Sequence, residues 1–396
     1  MKSQGIAVCI IVENLPVPFD RRVWQEARAL AEAGYRVSVI CPKGRGFEKS
    51  QETLEGVEIY RHALWEASGT LGYFIEYPWA IAVEFWLALK IYFRTRFRVL
   101  QACNPPDTIF LVALFYKLFG VRFVFDHHDL NPELFESKFG KRGLIYRLIC
   151  LAERMTFRAA DVSIATNESF KEIALTRGKM PPEAVFIVRS CPEIARIRPG
   201  RPRLELKQNR KFMVLYLGIM AKQDGLEHLL DSIEYIVKER GRQDVLFAFV
   251  GDGPEFPAIT RAAKAKGLEP FTRFAGRLYG DALAGYLSTA DVSVAPDPKT
   301  PMNDKSTMNK ILESMAYARP VVLFDLVEGR RLAGDAALYA KPNDPVDFAD
   351  QVLRLLDSEG MRRELGARGR KRIEEQLNWE KEKQSLLKAY QAALKE

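Results

Sequence analysis

The stretch STMNKILESMAYARPVVLFD, residues 306–325, predicts a short helix that leads into a buried strand. A carboxylate, Glu313, lies in the helical part among small and apolar neighbours, after a polar start that contains serine and threonine. Short apolar runs with β-branched residues alternate with segments of helical period elsewhere in the chain as well. This alternation is typical of parallel sheets covered by helices, so the predicted fold class is α/β.

The alternating pattern is interrupted once and then restarts, which predicts two domains. Residues 1–195 form the first, and KFMVLYLG at 211–218 opens the second, which extends to residue 377. Each is expected to be a doubly wound, Rossmann-like domain, with an amphipathic helix at about 378–396 packing back on the first. Ligands bind beyond the carboxyl ends of the strands in such sheets, so two facing domains predict a deep cleft that holds the active site.

The formal net charge of +8 is concentrated in one segment. Between residues 196 and 211, seven basic residues stand against a single acidic one, Glu205, in a stretch that contains proline. Aromatic residues are not interleaved with these charges, as nucleic-acid binding would favour. Residues 196–210 are therefore interpreted as a solvated basic linker, and no nucleic-acid partner is expected.

The five cysteines and four histidines are scattered, without a CxxC pair or an HExxH spacing. These spacings disfavour a structural zinc site and a disulfide framework. The N-terminal sequence MKSQGIAVCIIVENLP enters a strand pattern without the architecture of a cleavable signal. We therefore expect a reduced, cytoplasmic protein with no metal site and no cofactor.

The segment after the first predicted strand, ENLPVPFDRRVWQEARAL, has no glycine where a dinucleotide-binding fold needs GxGxxG, which disfavours a dehydrogenase. FVGDGPE at 249–255 contains GxG, but the third glycine is absent and a turn is favoured. Asp20 is placed to cap a helix that begins at Arg21 and Arg22. That helix start either presents two guanidinium groups at the mouth of the cleft or forms a solvated face.

The start of the 306–325 helix predicts a phosphate site. Ser306 or Thr307 is a natural N-cap, which directs the backbone N–H groups of Met308 and Asn309 outward at the positive end of the helix. Glu313 lies about 9 Å further along the helix axis, at 1.5 Å per residue.

A nucleoside diphosphate laid along this helix would bring its ribose to Glu313. The carboxylate can accept a hydrogen bond from each ribose hydroxyl, and such charged bonds are worth about 1.5 to 3 kcal/mol each. The alternative is a glutamate on the helix face that pairs with Lys310, three residues earlier.

Motifs along nearly the whole chain resemble those of the family 4 glycosyltransferases, which are retaining enzymes of the two-domain GT-B fold that use nucleotide-activated sugars. The resemblance rests on several segments in the family's order: FDRRVWQEARALAEAGYRVSVI, PPDTIFLVAL, FDHHDLNPELF, ERMTFRAADVSIATNES, VLYLGIMAKQDGLEHLL, FVGDGPE, RFAGRL, LSTADVSVAPD and NKILESMAYARPVV. It implies that Glu313 binds the ribose. It also implies that the loop at Gly276, Arg277 and Leu278 lies against the nucleobase through its backbone.

The segment VFDHHDLNPE ends a buried strand with polar residues. By the same resemblance, His128 is the histidine beside the donor sugar, and Glu133 helps to shape the loop that contains Asp129. The alternative for His128 is a strand-end histidine with a local hydrogen bond.

Two departures from the family pattern concern charge at the donor. Lys305 stands where many members have a glutamate that contacts the transferred sugar, so the resemblance does not fix that sugar. Beyond Gly218, Ile219 and Asp224 replace an arginine and a lysine that often grip the diphosphate. The helix N-terminus and nearby cations are then expected to bind the phosphates. Lys222 and Lys310 are the first candidates among the cations, followed by Arg21 and Arg22 across the cleft.

The sequence thus predicts a metal-independent, retaining glycosyltransferase that moves a sugar from a UDP-sugar to a glycan or a lipid-linked acceptor. His128, Lys222 and Glu313 are expected to act in catalysis. No carboxylate pair stands out as nucleophile and acid, which agrees with the family's front-face mechanism, in which the leaving phosphate accepts the acceptor's proton. The alternatives are a nucleotide-sugar epimerase of the same fold and a non-enzymatic nucleotide-sugar binding protein.

The segment 71–98, LGYFIEYPWAIAVEFWLALKIYFRTRFR, is apolar and aromatic with a basic end. Glu76, Pro78 and Glu84 interrupt it too often for a transmembrane helix. It fits a helix in a membrane interface and equally a helix buried against the first sheet or against a neighbouring chain. A peripheral contact with the cytoplasmic membrane face and the oligomeric state stay open at this point.

Overall fold

The computed structural model describes residues 5–63, 70–197 and 199–395, and for residues 70–78 and 138 the backbone alone. The chain divides into two compact units. The first comprises the residues up to Ser190 together with those from Glu382 onward, and the second is Cys191–Lys381. Among the described residues, no helix combines the length and the apolar character that crossing a bilayer requires.

The first unit is built on an eight-stranded sheet with the order β3-β4-β2-β1-β5-β6-β7-β8. Neighbouring strands are parallel except β3 and β4, which are antiparallel. The strands are β1 Ala7–Ile11, β2 Arg36–Pro42, β3 Gln51–Leu54, β4 Val57–His62, β5 Val99–Cys103, β6 Arg122–His127, β7 Val162–Ala165 and β8 Val185–Ile187. The helices are α1 Arg21–Glu32, α2 Thr70–Thr95, α3 Phe110–Lys117, α4 Asn131–Phe139, α5 Leu144–Ala159 and α6 Glu168–Thr176.

The strand order fixes which face of this sheet each helix covers. From β4 the chain crosses to β5, β6, β7 and β8 in one direction, whereas it passes from β1 to β2 in the other. Crossovers between parallel strands are right-handed, so α2, α3, α5 and α6 cover one face and α1 covers the opposite face. One buried hydrophobic cluster accordingly joins residues of α2, α3, α5 and α6 to residues of β1, β5 and β6.

The second unit has a six-stranded parallel sheet with the order β11-β10-β9-β12-β13-β14. The strands are β9 Phe212–Leu217, β10 Val245–Val250, β11 Thr272–Gly276, β12 Val292–Ala295, β13 Val321–Phe324 and β14 Ala337–Ala340. The helices are α7 Leu226–Glu234, α8 Phe256–Ala265, α9 Gly280–Thr289, α10 Asn309–Ala316, α11 Val327–Ala333, α12 Pro345–Asp357 and α13 Glu359–Glu375. The α/β class with two parallel-sheet domains is confirmed.

The basic segment 196–210 belongs to the second unit, which differs from the predicted linker. The backbone N–H of Gly200 donates to Ser288 Oγ at 2.9 Å, and that of Arg203 donates to Thr289 Oγ1 at 2.8 Å. Lys207 Nζ lies 2.7 Å from Asp291 Oδ2. The segment is therefore held along the end of α9 by acceptors that are distant in sequence; Arg198 within it lies outside the described residues.

The last helix, α14 Trp379–Leu394, contributes most of its length to the first unit. Tyr390 Oη donates to Gln101 Oε1 on β5 at 2.6 Å. Glu382 accepts from both the backbone and the guanidinium of Arg189. The C-terminal helix is thus tied to a central strand of the first sheet.

Candidate functional site

The carboxyl end of β6 carries a buried charged cluster in which a histidine is held by an aspartate and an arginine. Asp126 Oδ2 lies 2.8 Å from His128 Nε2. Arg22, from the first turn of α1, places one terminal nitrogen 2.7 Å from Asp126 Oδ1 and its Nε 2.8 Å from His128 Nε2. The helix start that positions Arg22 is capped as predicted, because Asp20 Oδ1 accepts from the backbone N–H of Val23 at 3.0 Å.

Both neighbours of His128 reach the same ring nitrogen. Nε2 can accept from Arg22 only without a proton, and it can donate to Asp126 only with one, so the two hydrogen bonds are alternatives. Burial lowers the pKa of His128, but the charge of Asp126 and the hydrogen bond to it outweigh burial, and the pKa is raised above its ordinary value. The proton is accordingly placed on Nε2 and shared with Asp126.

Arg22 is not part of the solvated face that the sequence left open. Its side chain is 9% exposed, and it also lies 3.1 Å from Glu26 Oε1 and donates to the backbone carbonyl of Val188 at 2.7 Å. Its neighbour Arg21 is exposed. The paired arginines therefore differ because α1 turns one toward β6 and the other toward solvent.

Glu26 is a second buried carboxyl next to Asp126. Its Oε2 accepts from Gln101 Nε2 at 2.7 Å, and the same amide nitrogen lies 3.2 Å from Asp126 Oδ2. Burial, and after it the charge of Asp126, raise the pKa of Glu26 to about 8. Burial also acts to raise the pKa of Asp126, but Arg22 and His128 outweigh it and hold that pKa well below its usual range. At neutral pH the two carboxyls thus carry one proton between them, on Glu26.

Cys103, Asp126 and His128 place one ligand atom each within 4.8 Å of the others, a grouping that sequence spacing did not show. The three residues come from the ends of the adjacent strands β5 and β6. Arg22 already supplies a positive charge to Asp126, His128 Nε2 is assigned a proton, and burial raises the pKa of the Cys103 thiol well above its ordinary value. The cluster therefore suits a guanidinium better than a metal cation.

The backbone around His128 is fixed by Asn104, a residue that the sequence reasoning missed. Asn104 Oδ1 accepts from the backbone N–H groups of His128 at 2.6 Å and Asp129 at 3.1 Å. Asn104 Nδ2 donates to the backbone carbonyl of Asp129 at 2.7 Å. Its position directly after β5, in NPPD, is the signal that could have identified it, since polar residues at strand ends meet at one edge of the sheet.

Glu133, which was predicted to help shape the loop that contains Asp129, lies in the first turn of α4, directly after that loop. Its two carboxylate oxygens accept from the two terminal nitrogens of Arg177 at 2.9 and 3.1 Å. Arg177 also donates to Glu153 on α5 at 2.6 Å. Glu133 therefore fastens α4 to its neighbouring helices, while the exposed Asp129 stays beside His128.

In the second unit, the loops after β9, β10 and β11 pack backbone against backbone. Gly251 donates to the carbonyl of Gly276 at 2.8 Å, and Gly218 donates to the carbonyl of Val250 at 3.0 Å. A Cβ on Gly251, whose φ is +144°, would collide with the carbonyl oxygen of Gly218. FVGDGPE is thus a tight loop at the carboxyl edge, next to the partly buried Leu278 and the exposed Arg277.

Lys310 is engaged inside the second unit and is not a free cation for a diphosphate. Its Nζ lies 2.8 Å from Asp297 Oδ1 and 3.1 Å from Asp224 Oδ1, and its side chain is 9% exposed. Burial lowers the pKa of Lys310, but Asp297 and the other neighbours outweigh it, so the pKa is raised. The sequence ranked Lys222 and Lys310 together as the first candidates to bind the diphosphate. Lys222 is exposed, whereas Lys310 is already paired with two aspartates, so Lys222 is now the better candidate.

Helix α10 begins at Asn309, and its N-cap is Met308 and not Ser306 or Thr307. Ser306 Oγ instead donates to the carbonyl of Met302 and closes a preceding 3-10 turn. The side chain of Met308 makes no capping hydrogen bond. Glu313 is partly buried in the middle of α10.

Two family models match the chain. Residues 20–190 match the "Glycosyl transferase 4-like domain" and residues 211–358 match "Glycosyl transferases group 1". Among curated proteins, alpha-D-kanosaminyltransferase of Streptomyces kanamyceticus is 28% identical over 152 residues, which cover 38% of each chain. The match thus spans well under half the length of that relative.

Solved structures match over almost the whole length. Sucrose-phosphate synthase from Thermosynechococcus elongatus superposes with a TM-score of 0.82 at 18% identity, covering 98% of this chain and 99% of that one. Anabaena Alr3699/HepE in complex with UDP and glucose superposes with a TM-score of 0.73 at 15% identity, covering 97% and 98%. At this identity the likeness concerns the fold, a pair of parallel-sheet α/β units.

Proposed function

Because the chain belongs to the group 1 glycosyltransferases and has their GT-B fold, we propose that it transfers a sugar from a UDP-sugar to a glycan or lipid-linked acceptor in polysaccharide biosynthesis. The transfer retains the anomeric configuration and uses no metal ion. UDP is favoured as the carrier because a structural neighbour was solved with UDP and glucose. An epimerase is not favoured, since the named relatives are transferases.

The observation that carries the proposal is His128 at the carboxyl end of β6, held through Nε2 by Asp126. Holding one ring nitrogen orients the imidazole and directs Nδ1 toward substrate. The raised pKa of His128 favours the imidazolium, whose Nδ1–H can donate to an oxygen of the donor sugar. Such a donor stabilises charge that separates as the glycosidic bond breaks.

The second unit is assigned the UDP part of the donor. Glu313 binds the ribose hydroxyls, and the backbone at Gly276, Arg277 and Leu278 contacts the nucleobase. Lys222 and the first-turn amides of α10 bind the diphosphate, because Lys310 is already paired with two aspartates. Gly218 allows the backbone of the β9 loop to approach the phosphates, since its φ of +153° is unfavourable for other residues.

The proton of the acceptor hydroxyl is taken by the leaving phosphate on the same face of the sugar. No protein carboxylate is assigned to this step. Asp126 is occupied by Arg22 and His128, and Glu26 holds its proton near neutral pH. The chain therefore contributes orientation and charge stabilisation, and the substrate's own phosphate acts as the base.

The test is incubation of the protein with labelled UDP-glucose, UDP-galactose and UDP-GlcNAc, each with and without a membrane extract. We expect label to move from one donor to an extractable acceptor with release of UDP, and the new linkage to keep the anomeric configuration of the donor. Release of UDP with an epimerised free sugar and no acceptor requirement would contradict the proposal, as would binding of UDP without turnover of any donor.

A further inference from the structure

Helices α2, α3 and α5 lie side by side on one face of the first sheet, as the right-handed crossovers require. Ring contacts join the first two: the ring centroids of Phe85 and Phe115 are 4.8 Å apart, and those of Tyr92 and Phe119, which lies just after α3, are 5.7 Å apart. Helix α3 in turn packs against α5. Their outward sides therefore form one continuous surface, which we name the α2–α3–α5 face.

The outward side of α2 is aromatic. Trp79, Trp86 and Phe93 follow one another at intervals of seven residues and are 53%, 65% and 65% exposed. Ala88 and Ile91 on the opposite side are buried in the core of the first unit. The predicted burial of the 71–98 helix against the sheet thus holds for one side only; the side chains of Glu76 and Pro78 lie outside the described residues.

The outward sides of the other two helices are aliphatic. Leu111 and Leu114 on α3 and Leu118 at its C-cap are exposed. On α5, exposed apolar residues recur at helical spacing from Leu144 through Leu148 and Leu151 to Met155. Single exposed hydrophobic residues are ordinary, but stripes on three adjacent helices form a patch that marks an interaction surface.

The charge on this face is of one sign among the side chains that the structure describes. Arg147, Arg154 and Arg158 form an exposed stripe along α5, parallel to the Leu/Met stripe. The carboxylates on the described part of α2, α3 and α5 are Glu84 and Glu153, and both are fully buried. Among the side chains that the structure describes on these three helices, the outward surface therefore combines large apolar groups with cations and presents no carboxylate.

We propose that the α2–α3–α5 face docks on an anionic phospholipid bilayer. The Trp, Phe and Leu side chains enter the boundary between headgroups and acyl chains, and the arginine stripe meets lipid phosphates. A second copy of this chain is a poorer occupant, because two such faces would bring arginines together without carboxylates between them. The inference goes beyond the transfer reaction and concerns a different surface of the first unit.

The experiment is co-sedimentation of the full chain with vesicles of phosphatidylcholine, with and without phosphatidylglycerol. We expect binding that needs phosphatidylglycerol and weakens as salt rises. A basic residue at an anionic surface is worth about 1 kcal/mol, so Arg154→Gln and Arg158→Gln should each lower the partition coefficient about fivefold. Leu148→Glu on α5 and Leu118→Glu at the C-cap of α3, where Leu118 is highly exposed, should abolish binding.

Leu204→Glu is the matched control, since Leu204 is a highly exposed leucine of the second unit. It should bind vesicles like the parent, and all variants should keep the parent's melting temperature and turnover with a soluble acceptor. The proposal would be overturned if the Leu148→Glu and Leu118→Glu variants bind anionic vesicles as well as the parent does. The proposal would also be overturned if the parent does not bind anionic vesicles but forms a dimer, and Leu148→Glu dissociates that dimer. The face would then join two copies of the chain.

Discussion

Glu313 and His128 are assigned to different parts of the donor, so replacing each should separate binding from turnover. Glu313 is proposed to hold the ribose in the ground state and in the transition state, so Glu313→Ala should weaken UDP binding by roughly 2 to 5 kcal/mol. His128 is proposed to act on the sugar, which free UDP lacks. His128→Ala should therefore leave UDP affinity within about threefold of the parent while turnover falls about a hundredfold or more.

Calorimetry with UDP and a turnover assay on both variants check this prediction. Glu375→Ala, which removes an exposed carboxylate from α13, is the control and should change neither quantity. Normal UDP affinity in Glu313→Ala would contradict the ribose assignment. Normal turnover in His128→Ala would reduce that histidine to a structural role.

Glu26 should make stability depend on pH in the neutral range. Its pKa is about 8 in the folded chain, above the ordinary value of 4.5. The folded state thus binds the proton more tightly than the unfolded state, so stability falls as pH rises from about 5 to 8. The raised pKa of His128 acts in the same direction above its ordinary value of 6.5.

Glu26→Gln mimics the protonated carboxyl and removes most of this dependence. Denaturant unfolding at several pH values should show the parent losing on the order of 2 kcal/mol between pH 5 and 8. The variant should show a much flatter profile. Parallel profiles for the two proteins would mean that Glu26 is ionised throughout this range.

At the scale of elements, Lys310 ties α10 to two loops of the second sheet. Asp224 follows β9 and Asp297 follows β12, and both accept from Lys310 Nζ. Lys310→Met should leave two carboxylates in a buried site without their cation, which costs about 3 to 5 kcal/mol of the free energy of unfolding. Lys299→Met removes an exposed partner of Asp304 and should cost about 1 kcal/mol or less.

Thermal and denaturant unfolding of both lysine variants measure the difference. Adding Asp297→Asn to Lys310→Met should recover part of the loss, because it removes one unpaired charge. If Lys310→Met instead unfolds like the parent but binds UDP much more weakly, Lys310 is a phosphate ligand, as the sequence first predicted.

At the scale of the whole molecule, we expect turnover to be independent of divalent cations. The proposed phosphate contacts are Lys222 and the amides of α10, and Arg22 supplies the positive charge at Asp126. Turnover should therefore persist in EDTA at the level measured in untreated buffer. Loss of turnover in chelator, with recovery on adding magnesium or manganese, would show that a metal carries part of the phosphate charge.

Patterns between near neighbours in the chain were enough to predict much of this architecture. The alternation of apolar runs with helical segments gave two parallel-sheet units, and Asp20 was correctly identified as the cap of α1. Both depend on residues within a few positions of one another. The N-cap of α10 was missed because Ser306 is taken by the turn before the helix, a local competition that spacing does not resolve.

The sequence by itself determined the α/β class, the two-unit division in outline and the edges of the sheets where polar residues gather. Only the tertiary structure decided which of those residues pair. Arg22 meets Asp126 and His128 across more than a hundred positions, and Lys310 meets Asp224 across 86. The outward stripes of α2, α3 and α5 became one surface in the same way. Periodicity is a property of chain neighbours, whereas ion pairs and surfaces depend on which strand ends and helices the sheet order brings together.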